Sequence, residues 1–279
     1  MIDEVIMLRH GRTSYNLAHR LQGQIDVPLD IVGQWQVEQT GMELAQRYYW
    51  AKAGNIVENP EQLPQPGHEA VVRSSVEEYR KASASQRRMR VISSDLFRAA
   101  QTAHAFADIL GLPVELDQRL RERCFGRWEG LTYEEIRQLD PDAFRSWRAG
   151  AGGEAQYGVE SRTHLGQRGA QAVNELVNQY EAERIPTTLM LVTHGSFMAA
   201  TIQTLIGLDP EVATLGPIQN AFWTRLCPSY NQENSKVAGW TLEEFNGRPR
   251  IAALTDWANG PQELRNPSMP VATPFPALV

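Results

Sequence analysis

With 279 residues, 42% apolar and 22% charged, the chain has the composition of an ordinary globular protein, at a length where α/β folds often stay one unit. Its formal charge of −6 argues against a general nucleic-acid or anionic-membrane binder, yet allows a small anion held by a local group of arginines. No apolar run reaches the roughly 18 residues of a membrane span, the acidic start MIDEVIMLRHG is unlike a signal peptide, and Cys124 and Cys227 lack any ligand spacing, so a reduced cytoplasmic protein is expected.

Residues 4–9 read as a short buried strand. Val37, Gly41, Leu44, Ala45 and Tyr48 then line one face of a helix over about residues 31–50. Residues 52–88, with ENPEQLPQPGHE and SSVEEYRKASASQRR, are polar and rich in proline, serine and charge, and read as a partly mobile insertion. Met89–Ser93 is a second strand, and Phe97, Ala100, Ala103, Ala107 and Leu110 mark the helix after it. Residues 161–183 and 196–207 are expected to be helical, with the strand Thr188–Thr193 between them. A strand-like pair near 218–226 and 237–245 suits an antiparallel edge, through which a homodimer stays open. Alternating strands and helices imply an α/β protein: a three-layer α/β/α sandwich on a mostly parallel sheet with an antiparallel edge. We read a single domain over 1–259 and a proline-rich tail over 260–279 that continues neither sheet nor helix.

Two strand ends look alike. The first delivers Arg9-His10-Gly11, the later one His194-Gly195-Ser196, and in an open parallel sheet ligands bind beyond these carboxyl ends. The strand at 89–93 runs into SSDLFRAAQT, placing Arg98 in the first turn of a helix, with Asp95 expected to cap it. Two histidines and two arginines from three strand ends compose a phosphate pocket. Taken singly, each is more often an ordinary turn or a solvated arginine. A metal-dependent hydrolase built on His10, His194, Asp95 and Glu122, or a non-catalytic binding protein, is the competing reading. His19, His68, His104 and His164 lie outside this pattern, and Trp128 is a candidate for the pocket mouth.

Five ordered blocks carry a resemblance. LRHGRTSYN, LQGQIDVPLDIVGQWQ, SSDLFRAAQTA, LRERCFGRWEGLTYEEI and VTHGSF resemble the signatures of the histidine phosphatase superfamily, in its phosphoglycerate mutase-like branch. The resemblance implies that fold, and a small-molecule phosphate ester as substrate, with no cofactor and no metal. It makes His10 the nucleophile that carries a phosphohistidine, with His194 stabilising the transferred group and Glu122 serving as acid and base. Arg9 and Arg98 suit the phosphate because a guanidinium fork holds two oxygens at once and stays charged. Asn16, Gln22 and Gly195 match family positions around the phosphate. Cations nearby should hold the His10 imidazole neutral, and a phosphate dianion should raise the pKa of Glu122. Without the resemblance, Glu122 reads as an ion-paired residue between Arg121 and Arg123, with Glu129 as an alternative acid. Thr13, Cys124, Phe125, Trp128 and Glu129 depart from the glycolytic mutases' pattern, so a phosphatase is expected ahead of a mutase. Arg12, Arg20, Arg121, Arg123, Arg127 and Arg162 are candidates for further contacts to an acidic substrate.

Overall fold

The structure, a computed structural model, describes residues 1–59, 87–180, 185–231, 236–253 and 256–265. In chain order its main elements are β1 (Ile2–Arg9), the one-turn α1 (Ser14–Leu17), α2 (Ile31–Arg47), α3 (Tyr49–Glu58), β2 (Arg88–Ser93), α4 (Phe97–Leu110) and β3 (Val114–Leu116). Then follow α5 (Tyr133–Leu139), α6 (Pro141–Arg148), α7 (Arg162–Gln179), β4 (Thr187–Thr193), α8 (Gly195–Leu205), β5 (Trp223–Tyr230) and β6 (Val237–Gly247). The six strands form one sheet in the order β3-β2-β4-β1-β5-β6. The first four are parallel, while β5 and β6 add an antiparallel pair at one edge.

The two-residue period of the central strands divides the core. Val5 and Met7 of β1, with Leu189 and Leu191 of β4, face the layer of α7 and α8. Ile6 and Leu8, with Met190 and Val192, face α2 and α4. Both sides of these strands are therefore buried, which explains their nearly unbroken apolar runs. A third cluster, with Phe125, Trp128 and Ile136 at its centre, packs α5 and α6 with their flanking loops.

Helix starts follow local chemistry. Asp30 caps α2 by accepting from Gly33 N at 2.8 Å, and Ser161 caps α7 by accepting from His164 N at 3.0 Å. The helix expected over 31–50 ends at Arg47, and α3 begins two residues later and runs on to Glu58, into the segment read as an insertion. Residues 60–86, with His68, lie outside the described residues, as do 266–279 of the tail. The tail's start is not structureless, because Gln262–Leu264 form a short 3-10 turn. β5 begins at Trp223, so the stretch before it is a loop rather than a strand.

Candidate active site

Strand register brings the two histidines together. β1 and β4 are adjacent, with Arg9 opposite Thr193, so His10 and His194 emerge side by side at the carboxyl ends. Their ring centroids lie 5.2 Å apart, and both side chains are buried. β2 lies on the other side of β4, and α4 carries Arg98 back over that strand end, where it too is fully buried. Gly195 opens α8; a side chain there would meet the Arg9 guanidinium at 3.1 Å, so glycine lets Arg9 lie close.

Hydrogen bonds set the protonation pattern. His10 Nδ1 donates to the Gly11 carbonyl at 2.7 Å, which leaves Nε2 as an unprotonated lone pair. The terminal nitrogens of Arg98 donate to the carbonyls of Gly23 and Ile25, both at 2.8 Å, and Arg9 donates to that of Ile218 at 2.5 Å. Ser94 Oγ accepts from Leu96 N and lies 2.9 Å from His194 Nε2, to which its hydroxyl donates, so that the neutral ring carries its proton on Nδ1. Among the described residues, three buried nitrogens of these side chains have no hydrogen-bond partner: Arg9 Nε, Arg98 Nε and His194 Nδ1. Buried donors left unpaired are costly, and three in one corner are what an anion with several acceptor oxygens would satisfy.

Uncharged donors are oriented from behind. Thr13 Oγ1 lies 3.0 Å from Gln22 Oε1 and 3.2 Å from Asn16 Oδ1, and Asn220 Nδ2 also donates to Asn16 Oδ1 at 3.2 Å. With the amide oxygens so engaged, the amide NH2 groups of Asn16 and Gln22 are left for the cavity that both residues line. Asn220 donates to the carbonyls of His10 and Gly11 as well, tying the loop after β1 to the chain before β5.

Electrostatics favour neutral imidazoles beside charged guanidiniums. Burial, then Arg98 and Arg9, hold His10 well below the usual histidine range. Burial, then Arg98, His10 and Arg9, do the same to His194. Burial also pushes Arg9 down to about 10, which leaves it charged at neutral pH.

Glu122 is not the ion-paired residue expected between Arg121 and Arg123. Its carboxylate accepts from the backbone N–H groups of Arg123 at 2.8 Å, Phe197 at 2.9 Å and Ser196 at 3.1 Å, sealing the start of α8. Arg121 pairs instead with Asp95, and Arg123 with Glu154. Asp95 therefore does not cap α4, whose N-cap is Leu96, and the competing metal set loses a donor to Arg121. Glu129 accepts from Gln24 N and Phe125 N and braces its loop. Trp128 is fully buried between Trp147 and Tyr157 and does not line the mouth.

The cavity measures about 740 Å³ and extends well beyond this corner. Arg9, His10, Asn16, Gln22, Arg98 and Glu122 line it; His194 and Gly195 lie just behind. Of the arginines flagged for outer contacts, Arg20, Arg123 and Arg162 reach it. Arg12 pairs with Asp30, and Arg127 stacks over Tyr157. His19, outside the strand-tip pattern, also lines it, as do Ser196 of the second tip and Tyr133 and Asn220, neither of them singled out from the sequence. Asn220 acts some 200 residues from its partners, and no local pattern marks it.

A parallel sheet with a neutral histidine pair and buried unpaired donors at its carboxyl ends defines an α/β protein with an anion-binding centre. The chain belongs to the histidine phosphatase superfamily, branch 1, whose family model matches residues 5–52 and 72–242. It is 31% identical over 259 residues to the glucosyl-3-phosphoglycerate phosphatase of Mycolicibacterium vanbaalenii, covering 90% of this chain and 97% of that one. A probable phosphoglycerate mutase GpmB of Yersinia enterocolitica is 30% identical, covering 86% and 91%. Among solved structures, the mycobacterial glucosyl-3-phosphoglycerate phosphatase in complex with inorganic phosphate is similar at a TM-score of 0.62 and 28% identity, covering 88% of this chain and 98% of that chain.

Proposed function

We propose that the chain is a phosphomonoesterase that hydrolyses a small phosphorylated acid, of the kind named for its glucosyl-3-phosphoglycerate phosphatase relatives, through a phosphohistidine on His10. The observation that carries this reading is the corner itself: a histidine with a free Nε2 among three buried, unpartnered donors. Phosphoryl transfer spreads charge over three equatorial oxygens, so catalysis is mostly positioning and charge stabilisation. Arg9, Arg98 and His194 donate to those oxygens, with the amides of Asn16 and Gln22 beside them and Gly195 giving Arg9 its room. His10 Nε2 attacks phosphorus, the P–O bond to the leaving group breaks, and Glu122 in its acid form gives the departing alkoxide a proton. Water then attacks phosphorus as the P–N bond to His10 breaks, returning a proton to Glu122 and releasing phosphate. No step calls on a cofactor or a metal.

The mutase alternative needs water kept out and the phosphoryl group returned to a second hydroxyl. The phosphatase is preferred on the higher coverage of its named relatives and on the departures at Thr13 and at 124–129 from the mutase pattern. We further infer a cytoplasmic setting, in keeping with two free cysteines. The expected partner is the phosphate ester rather than nucleic acid or an anionic membrane, given the charge of −6, and a homodimer through the sheet edge stays open. One domain over 1–259 with the insertion and tail completes the reading.

The test is phosphate release from p-nitrophenyl phosphate and from glucosyl-3-phosphoglycerate, with acid-quench trapping of labelled phosphohistidine. His10→Ala should lose both turnover and label, and the wild type should keep its rate in chelator. Conversion of 3-phosphoglycerate to 2-phosphoglycerate with negligible phosphate release would overturn the phosphatase reading.

A further inference from the structure

Six arginines line the cavity against three glutamates, and five of the six have an evident arrangement. Arg9 and Arg98 belong to the phosphate corner. Arg20 donates to the Gly130 carbonyl at 2.6 Å and pairs with Glu135. Arg123 pairs with Glu154 at 3.2 Å, donates to the Glu160 carbonyl at 2.6 Å and lies over the Phe125 ring. Arg148 is exposed in the last turn of α6, where the helix dipole favours a cation. Arg162 is half-buried, and among the described residues it has neither a hydrogen bond nor an ion pair from its side chain.

Its position is unfavourable for a lone cation. It is the first residue of the 18-residue α7, where the helix dipole opposes positive charge. Burial, and then Arg123, push its pKa below the ordinary arginine value. Glu211 attracts it from a distance but is bound elsewhere, accepting from Thr163 N at 2.8 Å and Thr163 Oγ1 at 2.9 Å. A local conflict of this kind, in a residue lining a cavity, is expected where a ligand supplies the missing charge.

We propose that Arg162, backed by Arg123, forms a second anion site in the outer cavity that takes the carboxylate of a phosphorylated hydroxy acid. The proposal deepens the phosphatase reading and rests on it. Charge decides for a carboxylate over a second phosphate: Glu154 already neutralises Arg123, so the Arg162–Arg123 pair keeps one positive charge, matching a monoanion. The planar fork of Arg162 can hold both carboxylate oxygens. A phosphoglycerate bound in this way would place its phosphate against His10 with its carboxylate toward α7.

The experiment compares 3-phosphoglycerate with glycerol 3-phosphate, which lacks the carboxylate, and with p-nitrophenyl phosphate. Arg162→Gln should lower kcat/KM for 3-phosphoglycerate by about ten-fold or more relative to glycerol 3-phosphate, mostly through KM, and Arg162→Lys should recover only part of it. An equal loss on all three substrates would mean a structural effect, and no loss on any would mean a solvated arginine; either overturns the site. A diol bisphosphate preferred over 3-phosphoglycerate, with that preference lost in Arg162→Gln, overturns the carboxylate assignment. Binding of 3-phosphoglycerate and glycerol 3-phosphate to His10→Ala, with and without Arg162→Gln, reads the site apart from turnover. An Arg162-dependent preference there, in a protein that hydrolyses none of the esters, would keep the second site and sink the phosphatase reading.

Discussion

Thr13 has one hydroxyl hydrogen and two amide oxygens within reach of it. That shared contact keeps the oxygens of Asn16 and Gln22 away from an anion that would repel them. Thr13→Val keeps the branched shape but removes the hydroxyl, freeing the Gln22 amide to turn, while Asn16 Oδ1 keeps the Thr13 N and Asn220 donors. We expect phosphatase kcat/KM to fall about ten-fold, the scale of one or two lost hydrogen bonds, while Thr13→Ser stays near wild type. Steady-state rates on p-nitrophenyl phosphate check it. Glu122 gives a sharper outcome, because an acid role there would matter only where the leaving group is basic. Glu122→Gln should depress hydrolysis of glycerol 3-phosphate far more than that of p-nitrophenyl phosphate, whose phenolate leaves without a proton. Equal losses on the two esters would assign Glu122 only to sealing α8 through its three backbone N–H contacts. Residue identity at the strand tips was legible in the sequence because each tip is a local pattern. The partners of Glu122 were not, since Ser196 and Phe197 meet it across more than 70 residues.

At the scale of elements, the site depends on how closely α2 approaches the loop after β1. A side chain on Gly33 would lie 2.0 Å from the Arg12 carbonyl oxygen, and one on Gly11 2.7 Å from that of Gly33. Gly33→Ala would ordinarily stabilise a helix by up to about 1 kcal/mol. Here the backbone collision reverses the sign, and we expect a net loss of about 1–3 kcal/mol in denaturant unfolding, with a lower turnover as the His10 loop shifts. The central strands β1, β2 and β4 were readable to within two residues because their buried faces leave nearly continuous apolar runs, whereas the three-residue β3, with two of its residues exposed, carries no such run and was not read. The break between α2 and α3 was not, because the apolar spacing runs on through Tyr48, which still donates to the Leu44 carbonyl. Asp95 was misread for a related reason: an acidic residue before a helix is a plausible cap, and only the fold brings Arg121 to it.

For the molecule as a whole, the site is a store of unfavourable charge that shows in stability against pH. His10 and His194 are held well below 6.5 by burial first and by the neighbouring arginines next, so the folded protein keeps them neutral as the solution acidifies. The unfolded chain protonates both near 6.5, so it binds more protons than the native state below that point, and stability must fall as pH drops through 6.5. Above about 7.5 the two states carry the same charge at these histidines, and their contribution is flat. The expected slope below 6.5 is about 1.4 kcal/mol per pH unit for each histidine until its folded pKa is reached. Urea midpoints from pH 7.5 to 5.5 measure the total, and His10→Asn should flatten the dependence even if it shifts overall stability. Inorganic phosphate should raise the midpoint at pH 7.5 by mass action, because its oxygens satisfy donors that the unliganded fold leaves buried and unpaired. A wild type and a His10→Asn variant with the same slope would mean that the His10 imidazole is not held neutral, and the attack by a free Nε2 would lose its physical basis.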